Sequence, residues 1–93
     1  MPDHVLCFAT DNEGNQVFIH ADAKGLDRLI NSLTRLRQKL NENICDHDHF
    51  MSEAWGGSDL SKKVVALGQP LIIIDHVKIY AWTEEWAQKH GLK

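Results

Sequence analysis

The N-terminal part of the chain has the pattern of a β-hairpin. Residues 4–10 and 16–21 are rich in β-branched and aromatic side chains, which favour strands. Between them lies a cluster of turn-forming residues in which Gly14 can adopt a positive φ. Two such segments around a short turn that contains glycine predict a pair of antiparallel strands.

A long amphipathic helix is predicted next. Apolar side chains recur at steps of three and four residues, which places them on one face of an α-helix. They are Leu26, Leu29, Ile30, Leu33, Leu36, Leu40 and Ile44. Asp22 can cap the first turn, and basic side chains such as Arg35 and Lys39 complement the C-terminal end of the helix dipole. We expect this helix to pack flat across the strands.

The second half of the chain contains further strand patterns. Residues 46–51 predict a third strand, and residues 52–61 a loop with a Gly-Gly pair. The continuous apolar segment 71–74 predicts a buried strand, and residues 77–82 alternate as the last strand should. For residues 62–69 the pattern leaves strand and helical turn open.

The chain ends with the signals of a short helix. Thr83 can cap its start, two acids fill the first turn, and Gly91 follows its end. The order β-β-α-β-β-β followed by this helix predicts an α+β fold, a two-layer sandwich. In it a mostly antiparallel sheet carries the long helix on one face. We expect residues 1–93 to form a single domain, because a chain of this size can bury only one core.

Composition and charge narrow the functional classes. The net charge is −3, whereas a nucleic-acid binder normally carries a clustered basic face. The two cysteines, Cys7 and Cys45, form no CxxC motif, so reduced thiols are expected. We expect no signal peptide, because the first residues offer neither a basic nor a long apolar region. The longest apolar segment, 71–74, is far too short to span a membrane. We therefore expect a cytoplasmic protein that binds neither nucleic acid nor membrane.

Two histidines of the third strand have metal-ligand spacing. His47 and His49 lie two residues apart, so their imidazoles share one side of a strand. Further ligands would have to come from Glu53, His76, His20 and Cys45. The alternative is an exposed histidine pair without metal, because no distinctive motif such as HExxH or CxxC accompanies them. We assign no metal ligand.

The same region combines acids with a tryptophan in a glycine-rich loop. The acids are Asp46, Asp48, Glu53 and Asp59. They can face a basic groove of a partner protein, or they can simply hydrate a loop and cap a neighbouring element. Trp55, followed by Gly56 and Gly57, suits an interface anchor, but it can equally fold inward and close the small core.

No enzymatic site is indicated. Cys7 lies among apolar residues, where burial raises a thiol pKa and makes it inert. Cys45 lies near the histidines, but no recognisable ordering residue accompanies it. The serines lack a GxSxG context, and no phosphate-binding glycine loop is present. We predict no catalytic residue and no cofactor.

The segment 46–61 resembles a family pattern. His47-Asp48-His49, followed by Phe50-Met51 and then by Trp-Gly-Gly, an acid and a leucine, is similar to an immunity-protein family of bacterial polymorphic toxin systems, the one numbered 32. The residues carried over are His47, Asp48, His49, Trp55, Gly56, Gly57 and Asp59. The strand Val77-Lys78-Ile79-Tyr80 also resembles the ending of that family. The resemblance covers the C-terminal half in detail and implies an antitoxin that binds and blocks a cognate toxin domain.

Three functional hypotheses follow. The first is a non-enzymatic protein-binding module whose partner, by the resemblance, is a toxin. Its partner-binding residues would be Asp46, His47, Asp48, His49, Glu53, Trp55, Gly56, Gly57 and Asp59. The second is a small metal-binding or enzymatic domain centred on His47 and His49. The third is a homodimer in which residues 71–79 pair as an edge strand.

Overall fold

The computed structural model describes residues 3–68 and 70–93, and its elements follow the predicted order. They are β1 (Leu6–Thr10), β2 (Val17–Ala21), α1 (Ala23–Asn41), β3 (Asp46–Met51), a first 3-10 helix (Glu53–Trp55), a second 3-10 helix (Lys63–Leu67), β4 (Ile72–Ile73), β5 (His76–Ala81) and α2 (Glu84–Lys89). The segment 62–69, which the pattern left open, is therefore helical over Lys63–Leu67, and Gln69 lies outside the described residues.

The strands form two antiparallel sheets. One has the order β2-β1-β4, and the other pairs β3 with β5. The consecutive residues Ile74 and Asp75 connect the two sheets. Ile74 N donates to Phe8 O beside β4 at 2.9 Å, and Asp75 O accepts from Ser52 N after β3 at 2.9 Å. The predicted α+β class with a long helix and a short C-terminal helix is confirmed, although the described strands divide between two small sheets.

Helix α1 begins where its N-cap predicted. The carboxylate of Asp22 accepts from Gly25 N at 2.8 Å and from Val5 N at 3.0 Å. The first contact satisfies a backbone donor that the helix leaves unpaired, and the second ties the helix start to the residue preceding β1. Asp22 therefore links the start of α1 to the first strand of the hairpin.

The core lies between α1 and the two sheets. Leu6, Phe50 and Leu60 are its buried residues, and the rings of Phe8 and Phe50 stack at 6.4 Å. From α1, Leu36 is buried and Leu29 packs against the core. Because Phe50 comes from β3 and Leu6 from β1, this core holds both sheets on one side of the helix.

The apolar face of α1 is only partly covered. Leu26, Ile30 and Leu33 are 48%, 54% and 45% exposed, whereas the buried helix residues are Gly25, Ser32 and Leu36. The prediction that the whole apolar face packs on strands is therefore wrong for those three residues. It is also wrong for Ile44, which lies beyond the end of α1 at Asn41 and is 42% exposed. The helix faces the sheets through Leu29, Leu36 and the small residues Gly25 and Ser32. The arginines beside them reach acids of the β3 region.

Strand β4 differs from its sequence prediction, whereas Cys7 agrees with it. The prediction of a buried strand over residues 71–74 is wrong in both length and exposure, because β4 spans only Ile72–Ile73 and Ile72 is 48% exposed. Cys7 is fully buried as a free thiol, and burial raises its pKa, as expected. No helix in the described parts of the chain is long and apolar enough to cross a membrane.

Candidate protein-binding surface

Strand β3 presents different chemistry on its two sides. Phe50 points into the core, so Asp46 and Asp48 share the side that faces α1, whereas His47 and His49 point away from it. The two imidazole centroids lie 5.0 Å apart. The extended conformation of residues 46–51 and the common side of the two imidazoles are therefore confirmed.

Pairing with β5 extends the histidine pair into a row of rings. His47 lies opposite Tyr80 and His49 opposite Lys78, so alternate residues of both strands share the outer side. The aromatic row consists of Trp55, His76, His49, His47, Tyr80, Trp82, Trp86 and His90. Neighbouring ring centroids in it lie between 3.9 and 5.6 Å apart. The row runs from the first 3-10 helix across the sheet to α2.

Several rings of the aromatic row are accessible. Trp55 is 58% exposed and Tyr80 is 48% exposed, and His47 is also exposed. The alternative in which Trp55 folds into the core is therefore wrong. Trp82 and Trp86 are half-buried and stack on each other at 3.9 Å, so they support the row at the α2 end.

The loop after β3 holds Trp55 through its two glycines. Gly56 ends the first 3-10 helix in a left-handed conformation with φ of 85°. Gly57 lies directly against the backbone of Met51, where a Cβ would come within 2.5 Å of the Met51 carbonyl oxygen. Its N–H donates to Ser52 O at 2.9 Å. The glycines therefore allow the loop to fold tightly back on β3 with the indole on the outside.

The acids of this region have partners within the chain. Arg35 donates to Asp46 at 2.8 Å and lies 3.7 Å from Asp48, while Arg28 pairs with Asp59. Asp59 also accepts from the N–H of Met51 at 3.0 Å. The carboxylates thus fasten β3 and its loop to α1, on the side away from the aromatic row. Glu53, the other acid, begins the first 3-10 helix.

These contacts stabilise the ionised acids. The hydrogen bond from Arg35 holds the pKa of Asp46 below its usual value, with the N–H of His47 as a second donor. Burial opposes ionisation of Asp48, but hydrogen bonds from Ser32 and from the N–H of His49, together with the charge of Arg35, lower its pKa. Both carboxylates are therefore charged at neutral pH.

The histidines of the row are coupled to one another. Nδ1 of His49 and Nε2 of His76 are 2.8 Å apart in a hydrogen bond, so one ring must offer an unprotonated nitrogen. Burial lowers the pKa of His49, and the nearby charges of His47, Lys78 and His76 lower it further. These effects favour the neutral form of His49.

A family model described as immunity protein 32 matches residues 16–77, which is more than half of the chain. The chain belongs to the immunity protein 32 family. The resemblance seen in residues 46–61 is confirmed, and membership indicates a role in toxin immunity. No curated protein matches the chain. No solved structure matches it either.

The matched region contains most of the surface just described. It includes β3, the tryptophan loop and His76, whereas Tyr80, Trp82 and α2 lie beyond its last residue. The similarity of the Val77–Tyr80 strand to the family ending is thus covered by the match only at Val77. The α2 end of the aromatic row lies outside the matched residues.

The structure also places the candidate metal ligands and nucleophiles. Within residues 3–68 and 70–93, no group of three or more His, Cys, Asp or Glu is arranged to hold a metal ion. Cys45 contacts Thr83, with Sγ 3.7 Å from the hydroxyl oxygen. Ser52 is 1% exposed and donates to Asp75 at 2.6 Å, so its hydroxyl is directed into the structure.

Sequence reasoning missed the β5 and α2 members of the aromatic row. His76, Tyr80 and Trp82 alternate along the last strand, as do His47 and His49 along β3. That shared period of two is a signal, but only the pairing of β3 with β5 shows that both sets face the same side.

Proposed function

We propose that the chain is a cytoplasmic antitoxin that binds a cognate toxin domain through the aromatic row and blocks it without catalysis. The contact residues are His47, His49 and Trp55, with Tyr80 added from the neighbouring strand. Gly56 and Gly57 belong to this site because they position the indole. Membership of the immunity protein 32 family supports the toxin as partner.

The observation that carries the proposal is the exposure of Trp55 beside a continuous row of rings. A tryptophan that is 58% exposed leaves much of a large apolar surface in water. Tryptophan and tyrosine dominate the energetics of many interfaces, because they bury a large area and lose little side-chain entropy. In the isolated chain the exposed part of the indole contributes no hydrophobic stabilisation. In a complex the indole can fill a pocket of the partner.

The paired acids support the same surface in a different way. Asp46, Asp48 and Asp59 are held by arginines of α1, so we propose that they position β3 and its loop and do not themselves neutralise a basic groove. Glu53 lies next to the indole in the first 3-10 helix, and we include it at the rim of the contact. A preorganised surface loses less free energy on binding than a flexible one.

The experiment is to co-express the tagged chain with the product of the neighbouring gene and to measure binding and protection of growth. Trp55→Ala should weaken binding by about 30-fold, corresponding to roughly 2 kcal/mol for a central interface aromatic. Its thermal stability should stay within about 0.5 kcal/mol of the wild type, as for most exposed positions. Trp55→Phe should restore part of the affinity.

The matched control is Ile72→Ala, which removes an apolar side chain of 48% exposure from β4 in the other sheet. This variant should bind as tightly as the wild type. If Trp55→Ala and His47→Ala both bind and protect like the wild type, the aromatic row is not the contact surface. If the neighbouring product neither binds nor harms the cell, the antitoxin proposal itself fails.

A further inference from the structure

Strand β2 has an unprotected edge. It is the outer strand of the β2-β1-β4 sheet, and none of the described strands lies beyond it. Its sequence, Val-Phe-Ile-His-Ala, contains no lysine, acid or proline, and its register with β1 is continuous from Leu6↔Ala21 to Thr10↔Val17. Edge strands of natural proteins usually carry such charges, prolines or bulges, which prevent pairing with another chain. β2 has none of these features.

The backbone groups on that edge can be identified. The carbonyl of Phe8 accepts from Ile74 N, so Phe8 directs its hydrogen-bonding groups toward β4. Phe8 lies opposite Ile19 in the β1–β2 register. In an antiparallel pair, opposite residues either exchange both hydrogen bonds or exchange none. Ile19 therefore points its N–H and C=O away from β1, and Val17 and Ala21 do the same by alternation.

Apolar side chains flank the same edge on the helix side of the sheet. Ile19 shares the side of its opposite residue Phe8, which packs on the core under α1. Val17 and Ile19 are 65% and 52% exposed. On α1 the uncovered residues Leu26, Ile30 and Leu33 follow helical spacing along one stripe. We call these five residues and the free β2 backbone the β2–α1 face.

We propose that the β2–α1 face binds a second copy of this chain through antiparallel β2–β2 pairing. A two-fold axis at Ile19 places Ile19 opposite its own copy and Val17 opposite Ala21, so no like charges meet. The axis runs perpendicular to the sheet, so both α1 helices lie on the same side and run antiparallel. Their uncovered stripes then face each other across the joint, and the two three-stranded sheets become one.

Three properties favour a second copy as the occupant. An antiparallel two-fold joint needs only a strand that is complementary to itself, which is the geometry of most homodimers. A standard interface takes roughly 800 Å² from each protomer. A strand edge of five residues offers too little of this area, and the α1 stripe adds to it. Asp27 and Arg37, both exposed beside the stripe, have opposite signs, so antiparallel helices can bring each toward its counterpart.

The proposal differs from pairing through residues 71–79 and is independent of the toxin contact. β4 has only two residues, and β5 carries Lys78, a residue type that discourages edge pairing. The aromatic row lies on the side of β3 and β5 opposite to α1, so a β2–β2 dimer leaves it free. The dimer can therefore form whether or not the toxin proposal holds.

Sedimentation equilibrium tests this across a concentration series up to about 1 mM. The wild type should approach twice the chain mass of 10.6 kDa. Ile19→Lys places a charge on the joint at a half-exposed position, so it should give a folded monomer with an unchanged circular dichroism spectrum. Ile30→Glu should weaken the dimer in the same way, whereas the control Ile72→Lys on β4 should remain dimeric.

Amide hydrogen exchange gives a second, local measurement. In the dimer the N–H groups of Val17, Ile19 and Ala21 should exchange slowly, and in Ile19→Lys they should exchange as exposed amides. A wild type that stays monomeric throughout the series overturns the proposal. So does a dimer that survives Ile19→Lys but is lost in Ile72→Lys. A monomer whose toxin binding is abolished by Ile19→Lys but not by Trp55→Ala would instead place the toxin on this face.

Discussion

Gly57 and Gly56 stand side by side in the tryptophan loop but are required for different reasons. At Gly57 an added Cβ would lie 2.5 Å from the carbonyl oxygen of Met51 and 2.6 Å from its Cβ. At Gly56 an added Cβ meets nothing within 4 Å, but φ is +85°. Gly57→Ala therefore tests whether the site has room for a Cβ, and Gly56→Ala tests only the requirement for a left-handed backbone conformation.

The expected magnitudes differ accordingly. To restore an ordinary contact, Gly57→Ala must move the Met51 backbone by about 1 Å. Met51 O accepts from the N–H of Asp59 at 3.0 Å, so the shift also disturbs the loop closure. Overpacking of a tight site costs about 1–3 kcal/mol, and we expect the upper end here. Gly56→Ala should cost about 1 kcal/mol, since the left-handed penalty is partly offset by reduced freedom of the unfolded chain.

Urea unfolding followed by circular dichroism measures both variants against the wild type. Small domains have only about 5–15 kcal/mol of stability, so a loss near 3 kcal/mol should shift the Gly57→Ala midpoint strongly. The slope of the transition should stay unchanged. A Gly57→Ala midpoint equal to that of the wild type would refute the close approach of this loop to β3. A Gly56→Ala variant less stable than Gly57→Ala would contradict the assigned reasons.

Two further predictions concern pH. Arg35→Gln should lower the urea midpoint at pH 7, because Asp46 and Asp48 lose their partner. Their folded pKa values lie below the usual value of about 3.9, so this contribution is present above pH 3.9 and is lost as the pH falls through the lower folded values. The two proteins should therefore converge in strong acid, and a constant difference would contradict the pairing. His49 has a folded pKa below about 6.5, so the unfolded chain takes up its proton first and stability should decrease as the pH falls below 6.5. In His49→Gln that decrease should be smaller between pH 6.5 and 5; an identical pH profile would show that His49 is not the group responsible.

Much of the local structure could be predicted from residue order alone. The spacing of apolar residues predicted α1, and Asp22 and Thr83 predicted both helix starts; Thr83 accepts from Trp86 N at 3.2 Å. These signals come from residues at most four positions apart in sequence, whose interactions do not depend on distant contacts. The alternation of residues 46–51 likewise predicted that His47 and His49 share a side.

Other features depended on contacts between distant residues. The sequence allows the acids of β3 to form a partner surface or to hydrate a loop. In the structure they contact α1, and the Arg35–Asp46 pair joins residues 11 positions apart in sequence. The continuous apolar segment predicts a buried Ile72, but the burial of this side chain depends on which strand and helix lie above it, and Ile72 is 48% exposed. A pattern records that a residue is apolar and does not record what covers it.

The order of residues by itself determined the type of each main element, the side shared by the two β3 imidazoles and, through segment 46–61, the resemblance to the family. Only the tertiary structure decided that Tyr80 and His76 extend the imidazoles into a row, and that half of the α1 stripe stays uncovered. The physical reason is the range of the interactions. Helix caps and strand alternation act between near neighbours, whereas the pairing of β3 with β5 and the position of α1 on the sheets result from the packing of the whole chain.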